Sequence, residues 1–234
     1  MKIGVTLPQF SDDAEAALVV ARHAESVGID GVFVFDHLWA IGQPTRPALH
    51  GPSLLAAVAA ETTRVSVGTL VARVGLVSED VMVSGFATLD AIAGGRLIAG
   101  VGTGDRLSEP ENRAYGVAYE LPAVRRAAVS RVCRRLRSLG IATWVGGLAP
   151  ATRAIGRADA DAVNLWGVSA SEVTQEALQG PVTWGGQVDL AVTDVAELLA
   201  ELDRAGAGWA VVAPVGVDWA QAVETLGTAR EHPG

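Results

Sequence analysis

The chain has one cysteine and one lysine in 234 residues, and each scarcity removes a class of chemistry. The lone thiol, Cys133, has no internal disulfide partner. It repeats with Val129, Val132 and Leu136 at the spacing of one helical face, the pattern of a core thiol and not of a nucleophile. Lys2 is the only lysine and opens the first predicted strand, so a Schiff-base mechanism has no lysine at a strand exit to work through. Aromatic residues make up only 5% of the chain, which predicts a core of Ala, Val, Leu and Ile.

Long apolar runs are missing as well. None approaches the roughly 18 residues of a membrane span, and the start "MKIGVTLPQF" has no extended apolar region followed by a small-residue cleavage site. The expectation is a soluble cytoplasmic protein. No H-E-x-x-H and no clustered Cys and His spacing occurs, so no metal site is expected. The net charge of -8, with no basic stripe interleaved with aromatics, argues against a nucleic-acid partner.

What is present is an alternation. Short apolar runs at 3–7, 31–35, 66–71, 97–101, 143–146, 162–166, 182–185 and 209–213 read as strands. Between them lie helical patterns, the clearest being "DDAEAALVVARHAESVG", with acidic caps at its start and Gly28 at its end. The segments 52–62, 82–93, 122–139, 150–158, 170–178, 194–205 and 218–230 follow the same pattern. Strands apolar on both faces and alternating with helices imply a parallel sheet covered by helices. Eight such units predict a (β/α)8 TIM barrel, with an open doubly wound sheet as the alternative. No linker or low-complexity tract interrupts the pattern, so one compact domain over 1–234 is expected.

In a barrel the functional face is where strands end and helices begin. Those positions hold Pro8, Gln9 and Phe10; Asp36, His37, Leu38 and Trp39; Ala72 and Arg73; then Gly102, Thr103, Gly104 and Asp105. Later exits supply Gly147, Asn164, Trp166, Trp184, Gln187 and Pro214. Polar, aromatic and glycine residues in one rim suit a flat conjugated ligand with hydrogen-bonding edges. In "VFVFDHLW" an Asp-His pair lands on that rim, and histidine can give or take a proton near neutral pH; the bland alternative is a histidine bonded within its loop. His23 falls on the surface of the first helix, His50 in a loop and His232 in the tail.

The stretch "GVGTGD" departs from the dinucleotide fingerprint, because its glycines stand at 100, 102 and 104 with acidic residues and proline following. At a strand exit, glycines either admit a planar ring to the backbone or make a tight turn with positive φ. Asp105 reads either as a general acid or base or as a helix cap. Gly146 and Gly147 in "WVGGLAPATRAIGR" precede a helix with Pro150 near its start, where outward-pointing amides would hold an anion. Arg153 either adds a contact to a phosphate there or is a solvated helix arginine.

Taken in order, "HAESVGIDGVFVFDHLW", "AAVAAETTRVSVGTLV", "ATLDAIAGGRLIAGVGTGD" and "TWVGGLAPATRAIGRADADAVNLWG" resemble the bacterial luciferase-like flavin-dependent oxidoreductase family over residues 1–170, with "VTWGGQVDL" a looser continuation. The resemblance implies a TIM barrel holding the deazaflavin coenzyme F420, the first choice, or FMN across the carboxyl ends of the strands. It implies hydride transfer between that cofactor and a small organic substrate. The alternatives are an FMN-dependent monooxygenase of the same family, or a flavin-binding protein that has lost catalysis.

By the same resemblance His37 carries the proton, Asp36 meets the ring edge, and Asp105 is a catalytic acid, a shorter substitute where relatives often have Glu. Gly102, Thr103 and Gly104 line the ring, while Gly146, Gly147 and Arg153 hold the phosphate-bearing tail. A non-proline cis peptide maps to Leu70 and Val71. Phe35 replaces a small polar residue common before the Asp-His pair. Larger relatives carry a long insertion after the helix matching 122–139, so a more open mouth is expected here. A homodimer is the expected assembly.

Overall fold

The computed structural model describes residues 1–40, 42–105 and 107–231, so His232 lies outside the described residues. In chain order the strands are β1 (Lys2–Thr6), β2 (Gly31–Val34), β3 (Trp39–Ala40), β4 (Gln43–Pro47), β5 (Ser66–Thr69), β6 (Ala72–Arg73), β7 (Leu97–Gly102), β8 (Ala142–Gly146), β9 (Ala162–Trp166), β10 (Val182–Asp189) and β11 (Ala207–Val215). The helices are α1 (Ala14–Ser26), α2 (Gly51–Glu61), α3 (Glu79–Ala93), α4 (Ser108–Ala114), α5 (Pro122–Ser138), α6 (Pro150–Asp159), α7 (Ala170–Ala177), α8 (Val195–Arg204) and α9 (Trp219–Glu231).

Eight strands form a closed parallel barrel in chain order: β1, β2, β5, β7, β8, β9, β10 and β11. Closure is seen at both critical seams, where β1 pairs with β11 and β5 pairs with β7 through Val67 opposite Leu97. The open-sheet alternative is thereby excluded. Local chemistry sets the helix limits as the sequence implies. The Asp13 carboxylate accepts the Ala16 amide at 3.2 Å to start α1, and the chain leaves that helix through Gly28 at φ +83°.

The expected aliphatic core is present between barrel and helices, and α5 turns Val129, Val132, Cys133 and Leu136 inward, all fully buried. Inside the barrel the scarce aromatics dominate instead. Phe33 and Trp144 stack at 5.4 Å, and Trp209 meets them edge-on at 5.8 and 5.5 Å. Large rings fit there because a neighbouring strand gives way: a Cβ at Gly68 would stand 2.6 Å from the Phe33 ring. This packed layer fills the barrel below its mouth.

Five local features differ from the sequence expectation. The strand predicted over 66–71 stops at Thr69, the Leu70–Val71 bond is cis as the resemblance implies, and pairing resumes in β6. The strands predicted to end at 185 and 213 run on to Asp189 and Val215, because their mutual register continues past the barrel rim. The antiparallel hairpin β3–β4 was not foreseen, since its residues carry no apolar alternation. Nor was α4, whose sequence "SEPENRA" is polar throughout and yet buries Ser108, Glu111 and Asn112.

Candidate active site at the barrel mouth

The carboxyl ends of the strands surround a cavity of about 1030 Å³, in the upper range for small-molecule sites. Of the residues singled out from sequence, Asp36, His37, Leu70, Val71, Gly102, Thr103, Gly104, Asp105, Gly146 and Gly147 all line it. Arg153 does not. Its Nη1 donates to Glu176 Oε1 at 2.6 Å, and Arg157 donates to the other oxygen of the same carboxylate at 2.8 Å. The structure thus ties Arg153 to α7 and not to the mouth.

Asp36 and His37 follow directly from β2, and the loop that carries them is clamped by Gln9. That fully buried amide accepts the Phe35 amide hydrogen at 2.7 Å and donates to the carbonyls of Phe35 and Leu49 at 2.8 and 2.9 Å. Its three hydrogen bonds tie the exit of β1 to the exit of β2 and to the segment that leads into α2. Phe35 packs at 5.8 Å against both Phe10 and Trp166, so the larger residue before the Asp-His pair belongs to an apolar wall of the cavity.

Behind His37 lies a set of charges that the sequence reading did not assemble. His37 Nδ1 is 2.8 Å from Glu111 Oε1, and the other Glu111 oxygen accepts from Arg73 Nη2 at 2.6 Å. Arg73 also donates through Nη1 to the Ser108 carbonyl at 3.0 Å and through its backbone amide to Asp36 Oδ2 at 2.5 Å. Its Nε lies 3.4 Å from Asp36 Oδ2 without a hydrogen bond. Burial pushes the Glu111 carboxyl up, but the hydrogen bonds from His37 and Arg73 outweigh it and hold the group below its ordinary range. For Asp36 burial wins over Arg73 and His37, and its carboxyl is pushed up.

Arg73 was visible as a strand-exit residue. Glu111 was hidden in a polar run with no apolar period, which reads as solvated chain. The available signal was the arginine itself, since a cation ending an apolar strand needs a carboxylate partner, but nothing local says which.

The glycine ladder also makes room within the protein itself, and Gly104 takes the positive φ of a tight turn. A Cβ at Gly102 or Gly146 would lie 2.5 or 2.8 Å from a Val71 methyl, and one at Gly104, which has φ +66°, would lie 2.7 Å from Arg73 Cδ. The missing side chains therefore admit Val71 and Arg73. The loop is fixed from outside by Arg125, which donates to the carbonyls of Thr103 and Gly104 and stacks 3.9 Å over the Tyr119 ring. Asp105 closes the turn that leads into α4 in the manner of a cap, its Oδ1 accepting from the Leu107 and Ser108 amides at 2.8 and 3.1 Å. Of its two sequence readings, this geometry matches the helix cap. Beyond Gly147, α6 begins at Pro150 after the N-cap Ala149, which offers no side-chain cap; the Thr152 and Arg153 amides donate to the Ala149 carbonyl at 2.9 and 3.0 Å.

A family model described as luciferase-like monooxygenase matches residues 1–217. Among curated proteins, the chain is 38% identical over 124 residues to the F420-dependent glucose-6-phosphate dehydrogenase of Kineococcus radiotolerans, a match covering 51% of this chain and 35% of the relative. It is 31% identical over 153 residues to the enzyme of that name from Gordonia bronchialis, covering 62% of this chain and 42% of the relative. The match to the first of these thus spans about a third of that relative's length. Among solved structures, an F420-dependent secondary alcohol dehydrogenase in complex with an F420–acetone adduct superposes with a TM-score of 0.82 at 13% identity, over 97% of each chain. A monooxygenase from Streptomyces bottropensis superposes with a TM-score of 0.70 at 15% identity, over 99% of this chain and 98% of that one. At such identities the structural likeness concerns the fold.

Proposed function

The chain belongs to the luciferase-like monooxygenase family, and from that premise we propose that it is an oxidoreductase whose mouth cavity holds a deazaflavin of the F420 type, or FMN, for reaction with a small organic substrate. The observation that carries this reading is the position of His37: it lines the cavity while its inner ring nitrogen contacts a buried carboxylate. When bound, such a cofactor supplies the donor or acceptor of a hydride. His37 supplies the place for the accompanying proton.

The residues present fit a flat ring with an anionic tail. Phe35, Leu70, Val71 and Trp166 give apolar walls, and Asp36 stands beside them as a polar edge contact. The Gly102–Asp105 loop presents backbone to the same space. Gly146 and Gly147 line the cavity just ahead of α6, and the dipole at the start of that helix favours a phosphate there. Arg153 would have to leave Glu176 to join that contact. F420 is favoured over FMN by the curated relatives, whose names all specify F420 dependence.

The test is a binding titration of the purified protein with F420 and FMN separately, read by absorbance and fluorescence. Saturable binding of one cofactor in the micromolar range or tighter selects the branch and supports the reading. Failure of both to bind would remove the cofactor and the oxidoreductase assignment together. The homodimer belongs to the same proposal: light scattering should give about twice the 24.1 kDa of one chain.

A further inference from the structure

We propose that Glu111 and Arg73 are positioning residues that hold His37 in the Nδ1–H tautomer, which makes Nε2 the atom where the proton enters and leaves. The place of that exchange in turnover rests on the function proposed above. The tautomer does not, because it follows from the donors and acceptors already in the protein.

An ionised carboxylate only accepts hydrogen bonds. Arg73 only donates, and its Nη2 takes Glu111 Oε2 at 2.6 Å while Nη1 is tied to the Ser108 carbonyl. The remaining oxygen, Oε1, faces His37 Nδ1 at 2.8 Å and needs a hydrogen from it. The ring must then carry its hydrogen on Nδ1 when neutral, leaving the lone pair on Nε2. That nitrogen makes no hydrogen bond among the described residues, and the His37 side chain is 17% exposed at the cavity, while Glu111 and Arg73 are 1% exposed behind it. Three side chains from three different strand-exit segments therefore set the state of one nitrogen. When Nε2 takes a second proton, the Glu111 carboxylate lies beside the resulting charge. This is the logic by which outer partners fix the tautomer of a working histidine.

The experiment uses the full chain with 15N-labelled histidine and two-bond 1H–15N correlation spectra, with H37Q to assign the signal. The neutral His37 ring of the wild-type protein should show a protonated Nδ1 and a lone-pair Nε2. In E111Q the tautomer should reverse. Arg73 can bond only to the amide oxygen, so the amide NH2 turns to His37, which must accept at Nδ1 and move its hydrogen to Nε2. R73K, which keeps a donor of the same charge, should retain the wild-type tautomer. A purely structural role for the pair would lower stability in E111Q without reversing the ring.

A wild-type His37 with its hydrogen on Nε2 overturns the proposal, as does a folded E111Q with the ring unchanged. Should E111Q fail to fold, the wild-type spectrum decides. The cofactor titration separates the two readings: an Nδ1–H ring in a protein that binds neither cofactor removes the proposed function and supports the positioning pair. An Nε2–H ring in a protein that binds one does the reverse.

Discussion

Arg73 and Glu111, 38 residues apart in sequence, meet at 2.6 Å with each side chain only 1% exposed. The contact joins the end of the third barrel strand to the short helix that follows the fourth, and it places a carboxylate behind His37. Removing one member leaves the other charge buried without compensation. Arg73→Ala and Glu111→Ala should each lower unfolding stability in urea by about 3 to 5 kcal/mol. Replacing both by Met and Leu should recover most of that loss, and single losses under about 1 kcal/mol would mean that the pair is not sequestered in solution.

Acid pH should remove the difference in stability between the wild type and its Glu111→Gln variant. Hydrogen bonds from His37 and Arg73 hold the Glu111 carboxyl down despite burial. A carboxyl lowered on folding contributes stability above the unfolded range and loses it as pH falls through the folded value. Asp36 has the opposite sign: burial raises it, so its ionisation costs stability at neutral pH. Urea midpoints of wild type and Glu111→Gln should therefore differ at pH 7 and draw together as pH falls below the ordinary glutamate value of about 4.3. A constant gap across that range would count against an ionised Glu111.

Gly102 should resist a methyl group because of Val71, whose Cγ2 would stand 2.5 Å from the new Cβ. Gly102→Ala should lower stability by about 1 to 3 kcal/mol, the usual cost of overpacking. Adding Val71→Ala should return part of it, and a double-mutant cycle measures the coupling. A neutral Gly102→Ala would show that the loop moves away from Val71.

Cys133 should be silent in the folded protein. It is fully buried on α5, and burial pushes its thiol up to about 12. Because the thiolate is the reactive form, a thiol reagent at pH 8 should label the native chain far more slowly than the urea-unfolded chain. Equal labelling rates would contradict the packing of α5.

His37→Asn should separate binding from turnover. If His37 carries the proton, the variant should bind the cofactor within a few-fold of wild type and lose about 10²- to 10⁴-fold in turnover. Unchanged turnover with cofactor bound would assign the proton to another group.

Much of the mouth was legible because strand exits repeat. Once eight apolar runs alternate with helices, any residue just after a run is placed at the carboxyl end, which is how Asp36, His37, Gly102 and Gly147 were found. Arg153 falls outside that logic, since it sits a turn into α6, where side-chain direction depends on a neighbouring helix; Glu176 of α7 decides it. The hairpin β3–β4 and the helix α4 escaped because neither has the apolar period that marks an element.

The sequence by itself determined the alternation of eight apolar runs with helices, because periodicity and β-branched runs are local properties that each segment carries wherever it is placed, whereas closure into a barrel was decided by the pairing of β1 with β11. It also determined the ring of candidate residues, because topology turns chain position into position around the mouth. Tertiary structure alone decided which charges meet. A polar run such as "SEPENRA" reads as solvated until Arg73, His37 and Ser108 are brought against it, and only then does burial make the Glu111 carboxylate obligatory. Long-range electrostatic pairing depends on distances across the fold, which no local pattern records.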